Sequence, residues 1–286
     1  MTFIKSINSE SGKVPLTKYG TPSSELLISD QGCVVVTFLD TETTGIDRDN
    51  DKIIEIAIKT VSFDKTTFKI VSIDNTYESF NDPEEQISEQ ITLLTGIDNK
   101  MVKGQFIDWG IIDKVFRSSD LIVAHNASFD RSFVDRFSIE STKVLWGCSV
   151  NDVDWLVKGF TSSKQELLCH WHGFYYDAHR AMNDVDALIN LLTHNFYIDE
   201  RPIMEIFKKA NNPEFIIFAD NFQFDPIKKD ILKNNKYRWN NKEKIWFKNV
   251  KYEEIETEKD WLTSIIYGSF FEGRVQQINP IDKYKL

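Results

Sequence analysis

The chemistry-bearing residues of this 286-residue chain begin with Asp40 and Glu42, at the end of the run C-V-V-V-T-F-L-D-T-E-T-T-G (33–45). A β-branched apolar run that stops in turn residues reads as a buried strand. Positions two apart project from the same face of a strand, so the two carboxylates stand side by side at its end. Carboxylates that close repel one another unless a cation compensates, and a divalent ion with oxygen ligands does this well. From this stretch alone, a strand end with two solvated acids is the alternative.

Two later segments add partners. Leu121 to Ala124 is a short buried strand that runs into H-N-A-S-F-D (125–130). Ser128 is the expected N-cap of a helix with the apolar face Phe129, Phe133, Val134 and Phe137, which places Asp130 in its first turn. A second helix, from about Arg180 to Phe196, keeps Ala181, Val185, Leu188, Ile189 and Leu192 on one face. Asp184 borders that face, and His179 lies just ahead of the helix.

Three segments then match one pattern. F-L-D-T-E-T-T-G (38–45), H-N-A-S-F-D (125–130) and H-R-A-M-N-D (179–184) resemble the three motifs of the DnaQ-like, DEDDh-type 3′–5′ exonucleases, a family that includes the proofreading epsilon subunit of bacterial DNA polymerase III. The resemblance implies a ribonuclease-H-like mixed α/β sheet flanked by helices. It assigns Asp40, Glu42, Asp130 and Asp184 as metal ligands and His179 as general base. By the same resemblance, Thr43, Thr44 and Gly45 contact the terminal nucleotide, with Ile46 beside the last base, although a plain turn accounts for these residues as well. Asn126 orients the motif or touches substrate, Phe129 borders the same site, and His125 is either a substrate contact or a structural histidine. L-T-G-I-D-N-K-M-V (94–102) resembles a family loop near the substrate's end, with Thr95 where histidine is frequent.

The physical chemistry agrees with these roles. Four carboxylates offer enough hard oxygen ligands for two Mg²⁺ or Mn²⁺ ions about 4 Å apart. An imidazole on the lead-in to a helix suits a general base acting near neutrality. The implied activity is a 3′–5′ exonuclease releasing nucleoside 5′-monophosphates from single-stranded nucleic acid, with DNA expected ahead of RNA. An exoribonuclease of the same fold is the second reading, and a non-catalytic module binding nucleic acid or a polymerase is the third. A DNA polymerase or repair complex is the expected protein partner.

The elements that position these residues read as a strand meander, 33–80, followed by strands alternating with helices, a mixed α/β arrangement. The expected organisation is an N-terminal arm (1–32), the exonuclease domain (33–200), a linker (201–213) opened by Arg201-Pro202, and a small α+β C-terminal domain (214–286). That last segment resembles the C-terminal domain of exodeoxyribonuclease-X-like proteins. It reads as a helix followed by a hairpin bearing Tyr237, Trp239, Trp246 and Phe247. Its aromatics are either a platform for single strands or a small core.

The net charge of −10 argues against a passive, wholly basic nucleic-acid binder, yet residues 227–251 hold nine basic residues against two acidic. Cys33, Cys148 and Cys169 are few and scattered, as in a cytoplasmic protein with reduced thiols, and no apolar run has the length of a membrane span. Cys169, His170 and His172 invite a zinc reading, but no second ligand pair lies at zinc-site spacing, which favours a packed helix end.

Overall fold

The computed structural model describes residues 15–19, 32–197, 200–222, 225–241 and 243–285. They form two compact units, the larger ending at Asn211 and joined by Tyr284, the smaller spanning Asn212–Lys283.

The larger unit opens with the two-residue strand β1 (Thr17–Lys18), followed by β2 (Cys33–Thr43), β3 (Ile53–Asp64) and β4 (Ile70–Phe80). β2, β3 and β4 form the expected antiparallel meander, with Asp40 opposite Ala57 and Glu42 opposite Glu55. The turn signals at Asp64 to Thr66 lead one to expect the third strand from Thr67, but β4 starts at Ile70. Asp64 there accepts from the backbone of Thr66 and Thr67 and from the Thr67 hydroxyl, and Phe68 turns at a positive φ, so this stretch is spent on the turn.

Helices α1 (Glu89–Thr95), α2 (Asn99–Val102) and α3 (Trp109–Arg117) lead to β5 (Leu121–Ala124), α4 (Ala127–Val134) and β6 (Leu145–Cys148). β5 and β6 run parallel to β2, which needs helical crossovers between them. The sheet order is β4-β3-β2-β5-β6, with β2 at the centre. The chain continues through α5 (Ser149–Asp152), α6 (Gln165–Trp171), β7 (Phe174–Tyr175), α7 (Ala181–Thr193) and α8 (Pro202–Ala210).

Alternation along β2 divides the core in two. Val34, Val36 and Phe38 pack with Val185, Leu188, Ile189 and Leu192 of α7, and Leu39 packs on the other side with Phe116 of α3 and Phe133 of α4. Each fully buried side chain of this kind contributes about 1.5–3 kcal/mol. Asp40 and Glu42 share the parity of Phe38 and so stand on the α7 side.

Two expectations are corrected. Residues 201–213 are not simply linker, because Pro202 occupies the first turn of α8, where a proline costs nothing, and Ile203, Ile206 and Ala210 are fully buried in the larger unit. Of the expected loose arm, Thr17 and Lys18 pair in parallel with Phe174 and Tyr175, and the Tyr19 ring lies 5.4 Å from that of Phe174. The remainder of the arm lies outside the described residues.

The smaller unit contains β8 (Glu214–Ala219), α9 (Pro226–Asn234), β9 (Arg238–Asn240), β10 (Ile245–Val250), α10 (Ile255–Trp261) and β11 (Arg274–Ile278). The strands form an antiparallel sheet in the order β11-β8-β10-β9. The expected helix and hairpin are both present, and Trp246 is buried with Ile217 and Leu232 whereas Trp239 is 43% exposed. One tryptophan is thus core and the other is surface. Among the described residues, no helix is long and apolar enough to cross a membrane.

Candidate active site at the end of the central strand

Three carboxylates meet where β2 leaves the sheet. One oxygen from each of Asp40, Glu42 and Asp184 lies within 4.8 Å of the others. Asp40 and Glu42 are there because of strand parity, and Asp184 because it sits in the first turn of α7, which packs across β2 and β3. Burial, then Asp184 and the other neighbouring acids, holds Asp40 well above the usual carboxylate range. Burial and Asp184 likewise push Glu42 up to about 8. Burial also raises Asp184, against the hydrogen bond from Tyr176 and the charge of His179. Three such oxygens form a hard donor set lacking its compensating charge, which fits a divalent cation of the Mg²⁺ or Mn²⁺ type.

Asp130 stands outside this triplet. β5 ends at Ala124, so the N–H of Thr41 on the neighbouring β2 has lost its strand partner. Asp130 Oδ1 accepts from that N–H (3.1 Å) and from Thr41 Oγ1 (2.8 Å). Burial pushes its carboxyl up to about 7, while the Thr41 bonds act in the opposite direction. The expectation that all four acids form one cage is thus met by three, with Asp130 committed through one oxygen to the strand edge. Ser128 is not the N-cap as expected. Asn126 occupies that position without a capping bond and instead accepts from the Ser128 hydroxyl at 3.3 Å.

His179 precedes α7 with φ +64°, a left-handed conformation that costs a non-glycine residue about 1–2 kcal/mol. Its backbone N–H bonds Asp184, and the N–H of Arg180 donates to Asp184 Oδ2 at 3.2 Å. The turn that strains His179 therefore also grips the carboxylate.

The remaining predicted contacts divide. Thr43 donates to the Gly45 carbonyl at 2.5 Å, and Thr44 bonds Asp51, Glu85 and the Lys52 N–H. Both hydroxyls thus hold their own loop. At Gly45 a Cβ would meet the Asp51 carboxylate, whose Oδ2 already accepts from the Asp47 N–H, so a larger residue would have to displace that side chain. Ile46 is 90% exposed beside the acids. Phe129 is half-buried, its ring 5.0 Å from that of Phe133. His125 is held neutral, its pKa lowered to about 4 by burial, and its Nδ1 is buried without a hydrogen bond. Thr95 bonds the Ile91 carbonyl and accepts from the Ile97 N–H, a structural role.

Sequence reasoning missed a second ring of partners. Arg180 grips both oxygens of Glu55 (Nη2 to Oε1 at 2.7 Å, Nε to Oε2 at 3.2 Å), and Glu55 also accepts from the Ala181 N–H at 2.9 Å. Lys59 pairs with Asp186 of α7. Glu55 and Lys59 are buried charges on β3 that fix α7 against the sheet. Tyr176 donates to Asp184 Oδ1 at 2.7 Å, and Gln165 donates to the Tyr176 hydroxyl at 3.0 Å and to the Asp184 carbonyl at 2.9 Å. Arg180, next to His179 in the same motif, carried the one visible signal.

Tyr176 yields a direct prediction. Tyr176→Phe removes the donor that orients Asp184 while keeping the ring. Loss of such an outer partner costs about tenfold or more in metal affinity. Calorimetric titration with Mn²⁺ is expected to show that loss, and wild-type affinity would show that the hydroxyl does not orient Asp184.

The zinc alternative finds no support at the helix end. His172 engages the Leu168 carbonyl through Nδ1 (2.6 Å) and the Tyr197 hydroxyl through Nε2 (2.7 Å), and Cys169 is buried in the core.

The family profile described as exonuclease (RNase T) matches residues 37–192, more than half of the chain. The chain belongs to this RNase T/DnaQ-like exonuclease family. Its enzyme class is therefore that of a 3′–5′ exonuclease. Among relatives, a PolC-type DNA polymerase III from Clostridium perfringens is 32% identical over 164 residues, 55% of this chain and 11% of the polymerase. Another from Caldanaerobacter subterraneus is 43% identical over 98 residues, 33% of this chain and 6% of that protein. The chain thus spans only a small part of the length of these relatives. The zinc-bound complex of Escherichia coli ExoI with single-stranded DNA shares the fold, with a TM-score of 0.52 at 17% identity over 65% of this chain and 48% of that one. The family match ends at residue 192, upstream of the smaller unit.

Proposed function

We propose that the chain removes nucleotides from the 3′ end of single-stranded DNA, releasing nucleoside 5′-monophosphates, with two divalent cations bound at Asp40, Glu42, Asp130 and Asp184. The observation that carries this reading is the convergence of Asp40, Glu42 and Asp184 within 4.8 Å, with burial raising all three carboxyls and neighbouring acids adding to the rise at Asp40 and Glu42. When bound, the cations would polarise the scissile phosphate and acidify the attacking water.

The chain's own groups do the rest. Asp40 and Glu42 present a ligand pair on a rigid strand, and Tyr176 and the Arg180 N–H hold Asp184 at its angle. Asp130 contributes its second oxygen, the first being held by Thr41. His179 takes the proton from the attacking water at an imidazole nitrogen, and its fixed backbone limits the ring's search for that position. The backbone of Thr43 to Gly45 contacts the terminal nucleotide, and the exposed Ile46 packs against its base. Asn126 and Phe129 border the same end, whereas the neutral, buried His125 orients its segment.

Similarity to PolC-type DNA polymerases supports DNA over RNA and supports action beside a polymerase. The test is digestion of matched 5′-labelled DNA and RNA oligonucleotides with Mg²⁺, Mn²⁺ or EDTA. Stepwise shortening of DNA that stops in EDTA is the expected result. Faster RNA shortening would select the exoribonuclease reading, and retention without cleavage would select the binding module.

A further inference from the structure

The sheet of the smaller unit has two unlike faces. Ile217, Ala219, Trp246 and Val250 point to one of them and form the core with Leu232 of α9 and Ile255 of α10. Alternation sends Phe218 and Phe247 to the opposite face. There the register sets Phe247 directly across from Phe218 on β8 and from Arg238 on β9, with Arg274 of β11 opposite Phe218. One row thus crosses all four strands as Arg238, Phe247, Phe218, Arg274. The guanidinium carbon of Arg238 lies 5.0 Å from the Phe247 ring centroid and that of Arg274 3.9 Å from Phe218. Asp220 pairs with Arg274 at 3.1 Å and helps hold it over the ring. Arg238 and Arg274 are exposed, as are Asn249 and Gln276 in the next row of the same face.

We propose that this face is a stacking platform for single-stranded nucleic acid, with Arg238 and Arg274 offering the outer planes of their guanidinium groups to the bases. The proposal rests on the reading of the chain as a nuclease. Guanidinium planes and aromatic rings stack bases of any sequence, which suits an enzyme that degrades a strand of any sequence from its end. Charge complementarity favours a polyanion. Residues 227–251 hold nine basic residues against two acidic, and Lys233, Lys236, Lys244 and Lys251 are exposed. Two of the nine have internal duties: Lys228 donates to the Ile266 carbonyl at 2.5 Å, and Lys248 pairs with Glu258 at 2.6 Å. Of the hairpin aromatics that the sequence offers for a platform, Trp246 is core, and Lys248 beside it is paired, so the Arg–Phe row lies on the other face.

The test uses the full chain in EDTA, where cleavage stops and the uncompensated acids repel DNA. Fluorescence anisotropy with labelled dT30 is expected to show binding that weakens about tenfold from 50 to 200 mM KCl, as a few phosphate contacts require. Arg238→Ala is expected to weaken dT30 binding about tenfold, the usual cost of one stacking partner. Arg238→Lys, which keeps the charge without the plane, is expected to lose most of the same affinity. Arg238 is exposed, so both variants should melt as wild type does. Wild-type affinity in Arg238→Ala, or in Arg238→Lys, would overturn the platform. A wild-type chain that cleaves dT4 with Mg²⁺ yet fails to hold dT30 in EDTA would also overturn it and would leave this face for a protein partner. Failure to cleave dT4 would count against the nuclease reading itself.

Discussion

Asp40→Ala and Asp184→Ala are each expected to leave less than about a tenth of the wild-type cleavage rate, because each removes an oxygen ligand from the set that compensates the reacting phosphate. Folding should survive. Without metal, the acids repel one another at the end of a rigid strand, so removing one relieves the fold. The sign of the pH dependence follows. Folded Glu42 titrates near 8 and Asp130 near 7, and Asp40 and Asp184 are raised as well, whereas carboxyls in an unfolded chain titrate near 4. Between those values these acids bind more protons in the folded state than in the unfolded one, so their contribution to stability falls as pH rises from about 4 to about 8. The metal-free wild type should melt progressively lower in the part of that window above about 6.5, where the buried histidines, with their lowered pKa values, no longer offset the acids. Asp40→Ala should show a shallower decline, and Mn²⁺ should stabilise wild type more strongly at its alkaline end. Retention of more than a tenth of the rate in either variant would remove these carboxylates from the chemistry. A melting temperature that rises with pH above about 6.5 would refute the account of their repulsion.

His179→Ala is expected to lower the rate about 10²–10⁴-fold with little change in substrate affinity, as loss of a general base does. Added imidazole should recover part of that loss by supplying the missing base. The backbone provides a second, independent readout. Because φ at this position is +64°, glycine fits it without strain and alanine does not. His179→Gly should therefore melt higher than His179→Ala, although both are inactive. A near-normal rate for the alanine variant across pH 6–9 would make His179 a packing residue, and equal melting would show that the strain is relaxed elsewhere.

Much of the candidate site was legible because its signals are local. Two acids two apart on a strand, an acid in a helix's first turn and a histidine just before a helix depend only on strand parity and helix geometry, and the structure brings Asp40, Glu42 and Asp184 together accordingly, with the His179 backbone bonded to Asp184. Signals that depend on distant partners were not legible. Glu55 and Lys59 sit in a run that reads as apolar strand, and their partners Arg180 and Asp186 lie more than a hundred residues away. Asp130 reads as a ligand with both oxygens available until β5 is seen to stop short, leaving the Thr41 N–H for one of them to satisfy. Pro202 reads as a break because proline interrupts helices, yet in the first turn it begins one. The basic count over residues 227–251 likewise does not reveal that the fold sets Glu258 against Lys248.

The pairing of β1 with β7 bears on how little of the chain makes a self-sufficient nuclease. Thr17 N–H donates to the Gly173 carbonyl and Tyr19 N–H to that of Tyr175, while Lys18 bonds Asp177, two residues before His179. The segment that delivers Tyr176 to Asp184 and leads into His179 is thus braced from outside by residues that precede the central strand. A fragment cut at residue 33 would contain every acid and the histidine. It would also leave two backbone carbonyls without their donors and the Phe174 ring without Tyr19. A fragment that keeps this brace therefore starts at or before Thr17, well upstream of the first motif.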